Sequence, residues 1–335
     1  MAAAALHDLF ASLTPAPATP GDTPAYSVAG IPSHVGYFVG KDRDGAACIL
    51  IAVSKSGLRR RAPIRLEKLE VVFGLDCLVR QSGRTSEDSF TVIRCRDEQG
   101  GIVRYFFSVG ETLIGMLGNG PSDAAIASAV NRMAQMFQKL QAPSRQSLTG
   151  LLGELLFIRE SGDPRRMLSA WRAVQTSRYD FSAGDVRLDV KAATGRVRSH
   201  VFSYDQCSPP PGTVAIAASL FIEQVASGTA FRDVLSAVER HASGDGDLLL
   251  KIHEIVAETL GSGLSEAMSY RFDERLAVTS LQLFDLRGIP GIRGALPIGV
   301  SDVHFRSDLA GCGPVSKQEL AEAHPASAHF LQLLP

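Results

Sequence analysis

The segment 177–194, SRYDFSAGDVRLDVKAAT, decides the reading of this chain. Gly184 and Asp185 mark a turn between two short strands. Alternation along VRLDVKA sends Val186, Leu188 and Val190 to one face and Arg187, Asp189 and Lys191 to the other, so a carboxylate and an ammonium project side by side. Across the turn, hairpin pairing brings Asp180 toward Asp189. Two carboxylates held together repel at neutral pH, and a hard divalent cation relieves that repulsion. A magnesium site is the expected chemistry. Periodicity alone also fits a solvent-facing, salt-bridged hairpin. The D-x-K spacing carries little by itself, since 35 acids and 7 lysines in 335 residues supply roughly 0.7 such triplets by chance. Its setting carries more: of the lysines, only Lys191 has an acid two positions earlier.

Upstream, TGLLGELLFIRE reads as a helix opening near Ser147, in which Glu154 is flanked by Leu151, Leu152, Leu155 and Leu156. A charged residue on so apolar a helix needs a partner. The alternative is an acid turned to solvent together with Gly150 and Arg159. Trp171, the single tryptophan, reads as core in preference to a base-stacking platform, and Gln206 is a polar residue with no assigned role.

The ordered set of Glu154 in its helix, Trp171, Asp180-Phe181 and Asp189-Val190-Lys191 resembles the PD-(D/E)XK nuclease superfamily, and within it an uncharacterised bacterial family of PD-(D/E)XK motif proteins associated with restriction and phage defence. Tyr179 stands where the motif's name has proline. The resemblance is concentrated between about Ser147 and His200, with a fainter extension into GIPGIRGALPIGVSDVHF. It implies a restriction-endonuclease-like αβββαβ core and a catalytic set of Glu154, Asp180, Asp189 and Lys191. It further implies that Asp180, Asp189, the Val190 carbonyl and Glu154 hold Mg²⁺ or Mn²⁺, while Lys191 orients a water and stabilises charge on the phosphate.

The implied activity is Mg²⁺-dependent hydrolysis of DNA in a defence setting, with possible partner proteins of such a system. A non-catalytic nucleic-acid-binding or scaffold subunit is the alternative, and an RNA-directed nuclease a third reading. Between Arg159 and His200 nine bases face five acids. Arg196, Arg198 and His200, at alternating positions after Lys191, are the expected phosphate contacts, and Lys55, Arg59, Arg60 and Arg61 form a second basic cluster.

The rest of the chain is read as α+β or α/β in four parts. A loose tail occupies 1–25, rich in Ala, Pro and Thr, and a β-rich domain 26–120 has strands at 47–53, 89–95 and 102–109. A nuclease-like core spans 121–265, with helices opening at Pro121–Asp123, near Ser147 and at Pro164. In that core a strand is expected at 213–222 and helices near 228–242 and 246–260. The C-terminal part, 266–335, has strands around 275–285 and 298–306.

Composition narrows the function classes. A net charge of −1 provides no global field toward a polyanion or a membrane, and no apolar run reaches the roughly 20 residues of a spanning helix. The N-terminus reads as neither signal nor transit peptide, so a cytoplasmic protein is expected. Five scattered cysteines without a C-x-x-C pair suggest reduced thiols and no structural zinc. His253-Glu254 lacks the second histidine of a zincin, Ala257 standing in its place, and neither a phosphate-binding G-x-x-x-x-G-K-[ST] loop nor a G-x-S-x-G elbow occurs.

Overall fold

A computed structural model describes residues 4–17, 23–53, 61–144, 147–173 and 178–335. The chain forms two compact units, Met1–Arg145 with Gly244–Ala267, and Gln146–Ser243 with Met268–Pro335. Both mix helix and sheet. Among the described residues no helix is long and apolar enough to cross a membrane, and all five cysteines are free thiols.

The first unit is built on β1 (Ala25–Gly30), β2 (Tyr37–Lys41), β3 (Ala47–Ala52), β4 (Ile64–Arg65), β5 (Leu69–Gln81) and β6 (Arg84–Cys95), ordered β1-β2-β3-β6-β5-β4. An additional parallel pairing of β1 with β5 curls the sheet back on itself, which removes open edges. The β5–β6 turn is Ser82-Gly83, both at positive φ, the geometry that matches strand twist in a two-residue hairpin.

Helices complete this unit: α1 (Ala4–Ala11), α2 (Gly100–Leu117), α3 (Asp123–Lys139), α8 (Gly246–Leu260) and α9 (Leu264–Ala267). Three expectations are corrected here. First, the tail expected over 1–25 contains α1, whose Leu6 is fully buried; Phe10 packs on Phe107 with ring centroids 5.2 Å apart, and Lys41 reaches back to the Leu13 carbonyl at 2.7 Å. Second, residues 102–109 are not a strand but part of α2. Their aromatic and β-branched side chains favour strand locally, but Ile102, Phe106, Val109, Leu113 and Ile114 are all buried at helical spacing. Third, the chain does not divide at 120/121 and 265/266, because α3 and α8 cluster with the first unit.

The second unit holds the segment 177–194. Its helices are α4 (Leu148–Glu160), α5 (Pro164–Ala170), α6 (Tyr204–Cys207), α7 (Phe231–His241), α10 (Glu274–Thr279), α11 (Lys317–Ala323) and α12 (Ala328–Leu331). Its strands are β7 (Phe181–Ala183), β8 (Val186–Ala193), β9 (Ser199–Ser203), β10 (Val214–Phe221), β11 (Gln224–Ala230), β12 (Arg271–Phe272), β13 (Gln282–Asp285) and β14 (His304–Asp308). The main sheet runs β13-β10-β8-β7, with β8 and β10 parallel and the outer pairs antiparallel.

Two ribbons, β11–β12 and β9–β14, stand apart from that sheet. The third strand of the expected αβββαβ order, β9, therefore pairs with β14 and not with β8. Residues 228–230, expected at the start of a helix, belong to strand β11, and 275–279, expected as strand, belong to helix α10, capped by the Asp273 carboxylate on the Leu276 N–H at 2.9 Å.

Candidate active site

The hairpin forms as its sequence dictates. Gly184 takes a φ of 52° at the turn, and Phe181 pairs with Leu188 across it, which sets Asp180 next to Asp189. Helix α4 lies close over β8 because residue 153 is glycine: a Cβ there would meet Ala192 Cβ at 3.2 Å and Val190 Cγ1 at 3.3 Å. That approach carries the neighbouring Glu154 into the site, where it is 3% exposed.

Each acid is held differently. Asp180 Oδ2 accepts the Val190 N–H at 2.7 Å. Asp189, 4% exposed, accepts Gln206 Nε2 on Oδ1 at 2.9 Å and faces Lys191 Nζ across 2.7 Å on Oδ2. That second contact is a charge-assisted ion pair, which opposes the cost of burying the Asp189 carboxylate. Lys191 keeps a fifth of its side chain open and lies 5.1 Å from the Phe202 ring centroid.

Glu154 is held by two other side chains. Its Oε2 accepts Trp171 Nε1 at 2.5 Å and Arg172 Nε at 3.2 Å, and Arg172 Nη2 reaches Oε1 at 3.0 Å. Both readings of Trp171 and Glu154 are thereby resolved: the tryptophan is fully buried, and the acid is not on the solvent side of α4.

Burial pushes both aspartates above the ordinary carboxylate range. For Asp180 desolvation is the largest cause and the negative charges of Glu154 and Asp189 add to it. For Asp189 desolvation again leads, opposed by Lys191. Tyr179, at the motif's proline position, donates its hydroxyl to the Gln206 carbonyl at 3.0 Å, and burial raises it to about 12.

The alternating triplet Arg196, Arg198 and His200 is placed otherwise than expected. His200 is buried and shares a 2.7 Å hydrogen bond with Ser219 Oγ; burial, then Lys191, Arg198 and Arg306, push it down to about 4, so it carries no charge for a phosphate at neutral pH. Arg198 donates to the Ser219 carbonyl at 2.7 Å and lies 4.5 Å from the Phe221 ring centroid. Arg196 is exposed and paired with Glu223 at 2.9 Å. Only Arg198 and His200 turn inward; Arg196 lies ahead of β9 and is exposed like its neighbour Val197, while Val201 faces outward from the strand. Of the second basic cluster, Lys55, Arg59 and Arg60 lie outside the described residues, and Arg61 is exposed.

Gln206 is the site residue that sequence reasoning left unassigned. Its side chain donates to Asp189 and, at 2.7 Å, to the Arg178 carbonyl, and accepts the Ser203 N–H at 2.9 Å. The S-x-x-Q spacing of Ser203 and Gln206 is a capping-box signature. That signal locates the start of α6 but not the bond to Asp189.

Among the described residues no group of three or more His, Cys, Asp or Glu side chains is arranged to hold a metal ion. The donor chemistry nevertheless fits a hard divalent cation: two adjacent carboxylates, Asp189 buried and Asp180 half-buried, both penalised for carrying charge.

A family model described as "Putative PD-(D/E)XK family member, (DUF4420)" matches residues 9–310. Comparison with curated proteins and with solved structures gave no match. With the match spanning nearly the whole chain and the D-x-K strand, its partner aspartate and the helix-borne glutamate gathered in one unit, this protein belongs to the PD-(D/E)XK family DUF4420.

Proposed function

We propose that the protein is a divalent-metal-dependent endonuclease acting on DNA, in a restriction or phage-defence setting, within the cell. The observation that carries this reading is the adjacent Asp180–Asp189 pair, Asp189 buried, with Lys191 at 2.7 Å from Asp189, in a chain of PD-(D/E)XK membership.

Asp180, Asp189 and the Val190 carbonyl are the groups that would hold Mg²⁺ or Mn²⁺. The ion supplies Lewis-acid charge at the scissile phosphate and eases ionisation of the attacking water. The chain's own residues do the positioning. The Val190 N–H fixes the Asp180 carboxylate and Gln206 orients Asp189. Lys191, partly open, orients the water and stabilises charge on the phosphate.

The test is incubation with matched double- and single-stranded DNA and RNA in Mg²⁺ or Mn²⁺. Cleavage of duplex DNA that falls at least 100-fold in Asp189→Ala and Lys191→Ala, with folding unchanged, supports the proposal; preference for RNA substrates selects the RNA-directed reading. The engagement of Glu154 by Arg172 favours a second reading, a nucleic-acid-binding or scaffold subunit retaining the nuclease fold. Absence both of cleavage and of any Mg²⁺-dependent rise in melting temperature selects that one.

A further inference from the structure

Resting on the metal-dependent reading above, we infer that the site takes a single divalent cation, and that the guanidinium of Arg172 serves as the built-in counter-cation of Glu154 where a second ion would otherwise be needed.

Arg172 is fixed at both ends. Its backbone N–H donates to the Asp180 carbonyl at 2.6 Å, and the adjoining Trp171 and Phe181 form a β-bridge, so the main chain holds the arginine beside the hairpin strand. The residue takes a φ of 43°, a left-handed conformation uncommon for a side-chain-bearing residue and retained where surrounding contacts over-determine it. From there the guanidinium forks onto Glu154, Nη2 reaching Oε1 at 3.0 Å and Nε reaching Oε2 at 3.2 Å, and Trp171 Nε1 supplies another donor to Oε2. A planar bidentate pair of this kind is stronger and more directional than a point-charge contact.

The charge balance follows. Glu154, Asp180 and Asp189 bring three negative charges when ionised, and Arg172 and Lys191 bring two positive ones. One divalent ion leaves the buried cluster with a single excess positive charge, which an incoming phosphate neutralises. Two ions leave three excess positive charges in a site where desolvation makes unbalanced charge costly. Metal binding therefore concentrates on Asp180 and Asp189, and Glu154 acts through Arg172 as a positioning residue.

The test is Mn²⁺ titration of the full-length protein by calorimetry, with electron paramagnetic resonance of the bound ion. One Mn²⁺ per chain, a spectrum without Mn–Mn coupling, and Glu154→Gln holding one Mn²⁺ with affinity within about threefold of the parent are expected. Arg172→Met, which frees the Glu154 carboxylate, is expected to admit a second Mn²⁺. Two coupled Mn²⁺ in the parent, falling to one in Glu154→Gln, overturns the single-ion inference and leaves the nuclease reading standing. Absence of Mn²⁺ binding in the parent overturns both. If Arg172→Met does not fold, Glu154→Gln alone decides: a loss of Mn²⁺ affinity well beyond threefold makes Glu154 a ligand and rejects the inference.

Discussion

At the scale of single residues, the site stores a conflict that the proposed cation would resolve. Asp180 is half-buried and its carboxyl is raised chiefly by desolvation, with two other acids adding repulsion. In metal-free protein, replacing it with asparagine removes that penalty, and the amide oxygen still accepts the Val190 N–H. Asp180→Asn is therefore expected to raise the metal-free melting temperature by about 2–4 °C, equivalent to ~1 kcal/mol, while abolishing the further rise on adding Mg²⁺. A melting temperature that falls in metal-free buffer contradicts this account. Gln206 makes the opposite case. Gln206→Leu strips Asp189 Oδ1 of its amide donor, and the Arg178 carbonyl and Ser203 N–H lose their partner. A loss of about 1–3 kcal/mol in urea unfolding is expected, together with a drop in DNA cleavage larger than that destabilisation explains.

At the scale of elements, two approaches decide what the site contains. Helix α4 reaches β8 through Gly153, where an added Cβ falls at 3.2–3.3 Å from Ala192 and Val190. Gly153→Val pushes α4 off the strand and is expected to cost roughly 1–3 kcal/mol, with cleavage lost beyond what stability predicts because Glu154 moves with the helix. Strand β9 shows how far local pattern goes. Period-two alternation holds for 198 and 200 but not for Arg196, which lies ahead of the strand and is exposed, and pattern alone does not say which face the neighbouring elements cover. Here Ser219 of β10 and the rings of Phe221 and Phe284 receive Arg198 and His200. Arg198→Ala is accordingly expected to destabilise the protein by about 1–3 kcal/mol and to leave the salt dependence of DNA binding unchanged. A shallower salt slope in filter binding would return Arg198 to the phosphate-contact set.

At the scale of the whole molecule, buried groups tie stability to solution conditions. In the first unit His253 is fully buried, 3.1 Å from Thr112 Oγ1, and burial holds it down to about 4. Its folded value lies below the unfolded one, so the unfolded chain takes up the proton first as pH drops. The neutral ring's contribution is complete above about 6.5 and is lost progressively down to about 4. Denaturant unfolding followed from pH 6.5 to 5 is expected to show declining stability in the parent and a shallower decline in His253→Leu. Equal slopes reject His253 as the source. Divalent metal is expected to act on the second unit, where Asp180 and Asp189 lie, raising its stability by ~2.7 kcal/mol at 100 times the dissociation constant.

Sequence alone determined whatever rests on neighbours along the chain. The Gly184 turn, the shared face of Asp189 and Lys191, the serine caps of α3 and α4 and the family membership were all legible, because turn chemistry, period-two geometry and capping act over a few residues. Tertiary structure decided the rest. It made 102–109 helical against local preference, turned Arg198 and His200 inward, joined Gln206 to Asp189 across seventeen residues and gave Glu154 to Arg172. In each case the deciding energy is the burial or pairing of a polar or apolar group against a distant partner. Periodicity lists the residues on a face, and only packing determines which face meets water.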